Sequence, residues 1–488
     1  MPGRLTLRKP LALVPALLTV SLAQAQTPAA PPSPEMQQVL QRLDRLEEQN
    51  RELMEELRAL RTQLAANQVA PAAQPAEATQ QAAQAPPAAQ TEQAATGQAG
   101  GTSQATLPDR VAVQEQRTAQ LDQEKISTDH KLPLTLTGML LENSFWTGKG
   151  GGGQANPTIA PAQAGPVNAG ATFRQTVLGV KFDGPQIFGG GKITGSAYAD
   201  FFGGPGTLLT QYIRLRVASV NATWNNTTVT LALDKPIIAP REPDSLAQVG
   251  FSPLTSAGNL WLWQPQVRVE RRFHFGDNAG LRAQAGVYQT AEGGTGAGAE
   301  YGSSLAKARP GYEGRFEFWA GGDNRRIEIA PGFHESTSHL LEQSAQSQIF
   351  SLDWLIRPVR RVDFTGAFFH GENVGVVGGL QQGLTVFNYG YGGGIVVHPV
   401  AATGGWAQVK VRLTPRLTLN LYGGQEDDRN RDLLFGEVGK NQTYAGNLMY
   451  RFGSNMLAAF ESSETRTSYA FSGTRIFPHY DLALAYLF

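Results

Sequence analysis

The side chains able to do chemistry in this chain are charged residues set at alternate positions among apolar ones. Arg214 and Arg216 alternate with Ile213, Leu215 and Val217, and Lys410 and Arg412 alternate with Val409, Val411 and Leu413. Arg268, Glu313, Arg315, Glu317 and Glu328 recur in the same setting, with Asp200 and Glu270 as further acids. Arginine grips carboxylate and phosphate through paired N–H donors, so such a set suits small anions. The rival role for each is an ion pair across neighbouring strands. Arg241, Glu242 and Asp244 fall instead in the Pro- and Gly-rich stretch from Lys235 to Asn259. Opposed charges on a narrow wall of low dielectric focus the field and filter solutes, which makes this stretch the candidate constriction; a solvated surface loop is the alternative.

Catalytic and metal chemistry find less support. The histidines His130, His274, His334, His339, His370, His398 and His479 sit in no recognisable motif, and there is no cysteine. His334 and His339, with Glu335 and Glu342, fall in an expected outer loop and lack a known ligand spacing. Glu426, Asp427, Asp428 and Asp432 lack the ordered EF-hand pattern and read as a solvated loop. No catalytic residue, metal or cofactor is therefore expected. With 41 Lys and Arg against 41 Asp and Glu, a nucleic-acid partner held by phosphate contacts is not expected either.

The elements that must position these residues change character along the chain. Residues 1–25 carry Arg4, Arg8 and Lys9, an apolar run from Leu11 to Leu22 and an Ala23-Gln24-Ala25 exit, the pattern of a secretory signal peptide. From Met36 to Leu64 a heptad repeat sets Met36, Leu43, Asn50, Leu57 and Leu64 at a, and Val39, Leu46, Leu53 and Leu60 at d. This predicts a coiled coil over 36–64, in which Leu43, Leu46, Leu53, Leu57 and Leu60 drive self-association and Asn50 fixes register. Residues 65–106, mostly Ala, Gln, Pro, Gly and Thr, read as a flexible linker. A short helical segment is expected over 109–127.

After His130 the period becomes two, in runs of roughly 9 to 12 residues, a length that suits a tilted bilayer crossing. No stretch is apolar enough for a transmembrane helix, but a closed barrel pairs its backbone internally and needs none. Tight turns are expected at Gly184–Gly190, Asn225-Asn226, Gly276–Asn278, Gly322–Asn324, Arg357-Pro358, Thr414-Pro415 and Gly453–Asn455. Longer loops between them would complete an all-β, antiparallel barrel of about sixteen strands over 131–488. Aromatics near the strand ends, among them Phe145, Trp146, Phe202, Trp224, Trp261, Trp263, Trp354, Phe368, Phe369, Trp406 and Phe452, are expected to form interfacial girdles.

This layout, ending in Tyr486-Leu487-Phe488, resembles Gram-negative outer-membrane porins. The coiled coil followed by a barrel holding Gly258-Asn259-Leu260-Trp261 and Gln264-Pro265-Gln266 is similar to the DcaP-like porins. The resemblance implies a homotrimer in the outer membrane, contacting lipid and lipopolysaccharide, with Phe488 read by the barrel-assembly machinery, the N-terminal segment in the periplasm, and small anions such as dicarboxylates as solutes. Residues 111–126 and the Gly148–Gly153 run have no place in that pattern. From Lys131 onward 30 Lys and Arg face 27 Asp and Glu, a small excess that favours anions. The expected function is passive diffusion of small hydrophilic solutes. A structural anchor reaching toward the cell wall is the alternative, and a barrel lipase or protease finds no supporting constellation.

Overall fold

The computed structural model describes residues 126–127, 133–204, 211–291, 309–322, 325–380, 383–390 and 394–488. The signal peptide, the heptad segment with Leu43 to Leu60, the linker and residues 109–125 lie outside the described residues. Ile126–Ser127, the last two residues of the segment read as helical, are extended and pair with Leu136 and Thr135.

Sixteen antiparallel strands close into a barrel. They are β1 Leu134–Thr147, β2 Asn168–Thr172 continued by Val177–Ile187, β3 Gly191–Gly203, β4 Tyr212–Trp224, β5 Thr227–Asp234, β6 Gln264–His274, β7 Ala279–Gln289 and β8 Pro310–Gly322. The second half comprises β9 Arg325–Leu340, β10 Gln343–Val359, β11 Val362–Glu372, β12 Ala401–Arg412, β13 Leu417–Asp428, β14 Val438–Arg451, β15 Met456–Tyr469 and β16 Gly473–Leu487. Both parts of β2 pair with β1, so they count as one crossing interrupted by a bulge. The seam runs from Met139 opposite Leu487 to Thr147 opposite His479, and the Gly138 and Phe488 backbones exchange hydrogen bonds of 2.8 and 3.1 Å.

The alternation does what the sequence requires of a wall between lipid and water. Leu140, Ile213, Leu231, Phe318, Phe350, Leu421, Phe460 and Leu482 lie exposed on the outside, while Asp200, Arg315, Asp353 and Glu461 are buried inside. An outward Arg or Lys at mid-membrane costs about 2–4 kcal/mol, which fixes the register of each strand.

Several expectations are corrected. The turn placed at Arg357-Pro358 is at Arg360-Arg361, because Pro358 continues β10. β9 and β10 join through only Leu341 and Glu342, both with positive φ, and β15 and β16 through residues 470–472, so these outer connections are not long loops. His334 and His339 consequently lie on β9, not in a loop. β9 and β10 have 16 and 17 residues, where about 9–11 suffice for a tilted crossing, so this hairpin carries roughly 20 Å of strand length beyond the minimum. Not every girdle aromatic faces lipid. Trp146, Phe368 and Phe452 are exposed, but Phe145, Phe369 and Trp406 are buried.

Candidate functional site: a loop held inside the barrel

Residues 235–263, between β5 and β6, fold back into the barrel, where Ile238, Leu246, Val249 and Ala257 are fully or almost fully buried. A buried loop must find partners for its backbone, and the inner wall supplies them. The Ile237 N–H donates to Glu313 on β8, and Ser351 on β10 donates to the Ile238 carbonyl at 3.0 Å. The Asp244 N–H donates to Gln408 on β12 at 2.7 Å, and Asn447 on β14 donates to the Asp244 carbonyl at 2.8 Å. Ser245 donates to Glu461 on β15 at 2.7 Å, and Asn143 on β1 donates to the Leu246 carbonyl at 2.8 Å. Gln175, in the β2 bulge, accepts from the Val249 and Gly250 N–H groups at 2.6 and 2.8 Å. On the return limb Asn441 on β14 donates to the Ser256 carbonyl at 2.8 Å. The loop thus touches one wall sector after another around the lumen.

At Gly258, φ is +93°, and a Cβ would lie 2.3 Å from the carbonyl oxygens of both Gly405 and Gln425. Only glycine permits that approach to the wall.

The charged candidates fall into separate groups. Arg241 places Nε 2.6 Å from Asp353 and Nη2 3.4 Å from Glu317, and also bonds Glu328. Arg315 meets Asp353 and Glu317, both at 2.7 Å; Arg282 meets Glu317 at 2.6 Å; and Arg326 meets Glu328. Four guanidiniums therefore share three carboxylates. Burial works against the Arg241 charge, but Asp353, Glu328 and Glu317 outweigh it and hold its pKa above the ordinary value.

Glu242 pairs with Lys235 and accepts from Ser252, while Asp244 pairs with Lys410 at 3.0 Å. Arg268 pairs with Asp234 at 2.9 Å, and Arg412 and Arg357 share Asp363 at 2.7 and 2.6 Å. On the opposite wall Arg214 and Arg216 lie 2.9 and 3.4 Å from Asp200. Their guanidiniums sit 5.2 and 4.9 Å from the Trp263 ring centroid, and Arg174 sits 4.3 Å from that of Phe202. Trp263 and Phe202 are thus lumenal partners of arginine and not girdle residues.

Every basic candidate from the sequence lies in an ion pair: those of Arg214, Arg216, Arg268 and Arg412 join neighbouring strands, those of Arg241 and Lys410 join the loop to the wall, and Arg315 reaches Asp353 two strands away. Arg174, Arg282, Arg326 and Arg357 were missed, as were the acids Asp353 and Asp363; strand parity would have flagged Asp353 as an inward charge in Ser351-Leu-Asp-Trp354. His334 is buried on β9, 3.0 Å from Glu313 and 3.2 Å from Ser347. This Ser–His–Glu string is closed beneath Ile237 and Asn373, with Ser347 fully buried, and offers a substrate no approach. Among the described residues no three His, Asp or Glu side chains gather as a metal would require.

The fold is that of a Gram-negative outer-membrane porin. No protein-family model and no curated sequence matches the chain. Of solved structures, the outer membrane channel DcaP of Acinetobacter baumannii is similar at a TM-score of 0.57 and 14% identity, over 73% of this chain and 97% of that one. The anion-selective porin from Comamonas acidovorans gives 0.48 and 12%, over 73% and 99%. OmpF of Salmonella typhi, solved with daunomycin, gives 0.47 and 12%, over 75% and 100%.

Proposed function

We propose that the chain is an outer-membrane channel through which small hydrophilic solutes, anions such as dicarboxylates above others, diffuse past the loop of residues 235–263. The observation that carries this reading is the lumenal loop itself, seated among charged side chains in a barrel whose outer wall is apolar. Paired charges contribute little to selectivity, so the preference rests on the surplus. Three guanidiniums, those of Arg174, Arg214 and Arg216, gather about Asp200, so basic groups outnumber acidic ones there. At Arg241 four arginines likewise face Asp353, Glu317 and Glu328, with Glu270 a further partner of Arg282.

The assembly we infer is a homotrimer, the number coming from the porin resemblance. The heptads over 36–64 would contribute, and a second contribution lies on the barrel. Outward positions on β3 are Gly195, Ala197 and Ala199, and on β1 Glu142 bonds Ser144 at 2.8 Å. A face so small and polar suits another protein wall better than lipid. Phe488 at the seam would be read by the assembly machinery, and the N-terminal segment would lie in the periplasm.

Reversal potentials in planar bilayers under a salt gradient test the proposal. A steady conductance with anion preference is expected. Cation preference overturns the arginine argument, and absence of any current returns the chain to the anchor reading.

A further inference from the structure

We infer that the tight-turn mouth of the barrel, its periplasmic end, holds a binding site for a linear multivalent oxyanion, a short chain of linked phosphates or carboxylates, built from arginines at the ends of β11 to β14. The register repeatedly sets arginine against arginine at this end. Arg272 on β6 stands opposite Arg282 on β7, and Arg326 on β9 opposite Arg357 on β10. One step beyond Val362 opposite Val411, the Arg412 N–H donates to the Arg361 carbonyl at 2.8 Å. One step beyond Leu417 opposite Tyr450, the Arg451 N–H donates to the Arg416 carbonyl at 2.9 Å. Directly opposed residues carry their Cβ atoms about 4.5–5.5 Å apart, and like charges so placed destabilise a sheet. Strands that keep such pairs need negative charge between them.

The first two pairs find that charge within the protein. Arg272 and Arg282 meet Glu270, Arg282 also meets Glu317, Arg326 meets Glu328, and Arg357 meets Asp363. The other two pairs are short of it. Arg412 shares Asp363 with Arg357, while Arg361, Arg416 and Arg451 meet no carboxylate among the described residues. Arg361 and Arg416 immediately precede β11 and β13, and Arg412 and Arg451 end β12 and β14. One arginine therefore stands at the foot of each successive strand, and at the usual strand spacing the row spans about 14 Å. A chain of linked oxyanions matches such a row, each group gripped by paired guanidinium donors, where a single monovalent ion offsets one charge. Arg412 and Arg451 keep step along their strands with Lys410 and Asn447, which are buried on the lumenal side. A solute in the pore reaches that face, whereas a phospholipid headgroup outside the wall does not.

The inference rests on the channel reading for its side of the membrane, but its test does not depend on ion flow. Full-length protein in detergent would be titrated with sodium tripolyphosphate by isothermal calorimetry at fixed ionic strength, with barrel melting followed by heat-modifiable mobility. One tripolyphosphate per chain is expected, together with a rise in melting temperature. Arg416→Gln with Arg451→Gln should raise Kd at least about tenfold and abolish that rise. Arg416→Lys with Arg451→Lys keeps the charges without the forks and should raise Kd by less. Arg214→Gln with Arg216→Gln, in the other arginine group of the lumen, should bind as wild type does. Equal losses in the two glutamine double variants would put the anion at those lumenal arginines, and preference for a short-chain phosphatidylglycerol would make the row a headgroup contact. No uptake, or uptake indifferent to Arg416 and Arg451, would leave the row without a ligand. Each of these results overturns the site. Binding of the expected kind in a protein that gives no planar-bilayer current would instead refute the channel and keep the site.

Discussion

Arg241 is the residue on which the seating of the lumenal loop can be tested most sharply. It is the point at which that loop meets β8, β9 and β10 at once, through Glu317, Glu328 and Asp353. Arg241→Gln leaves three buried carboxylates to Arg282, Arg315 and Arg326, so one uncompensated set of contacts remains. Removing one member of a buried pair costs about 3–5 kcal/mol. At about 1.4 kcal/mol per power of ten, the docked arrangement of this part of the loop loses roughly two to three and a half powers of ten against its displaced forms. The remaining anchors, Lys410 on Asp244 and Ser245 on Glu461 among them, keep the rest of the loop in place. Single-channel recording in planar bilayers should therefore show higher unitary conductance and more open-channel noise. The reversal potential should also move toward cations, because four guanidiniums against three carboxylates become three against three. Arg241→Lys keeps the charge but not the fork onto Asp353 and Glu328, so it should raise the noise with selectivity retained. If Arg241→Gln matches wild type in conductance, noise and reversal potential, the loop does not shape the path and the reasoning fails.

Gly258→Val should prevent the return limb from seating against Gly405 and Gln425, raising conductance or lowering the yield of heat-modifiable barrel; a variant identical to wild type would show that the approach is not obligatory. Arg214→Gln with Arg216→Gln should reduce anion preference more than Arg268→Gln does, since Arg268 and Asp234 balance one another; equal effects would refute the surplus-charge argument. Crosslinking through Ala197→Cys should capture oligomers of the detergent-extracted protein, and deleting residues 26–106 should weaken but not abolish them. Monomers throughout would remove both assembly surfaces.

The barrel was legible because lipid and water on opposite sides force a period of two, and because Gly, Pro and Asn mark most of the tight turns. The β9–β10 hairpin escaped notice because Leu341-Glu342 carries no turn residue; its positive φ values are held by the paired strands and not by local preference. The lumenal loop was found through its own charges. Its hosts were harder to read. Asn143, Gln175, Asp353, Asn447 and Glu461 are separated from the loop by tens to hundreds of positions, and only the closed geometry brings them together. Phe145, Phe369 and Trp406 show a further limit, since an aromatic near a strand end fits either side of the wall and only register decides which.

The seam between β1 and β16 sets a condition on the order of events during biogenesis. Phe488 both exchanges backbone hydrogen bonds with Gly138 and lays its ring against that glycine, where a Cβ would come within 2.9 Å. Until β16 and Phe488 are in place against β1, the cylinder has two raw edges and cannot be sealed. A prematurely terminated chain is thus not a shortened channel but an open ribbon, a ready substrate for envelope proteases or for clumping with its own kind.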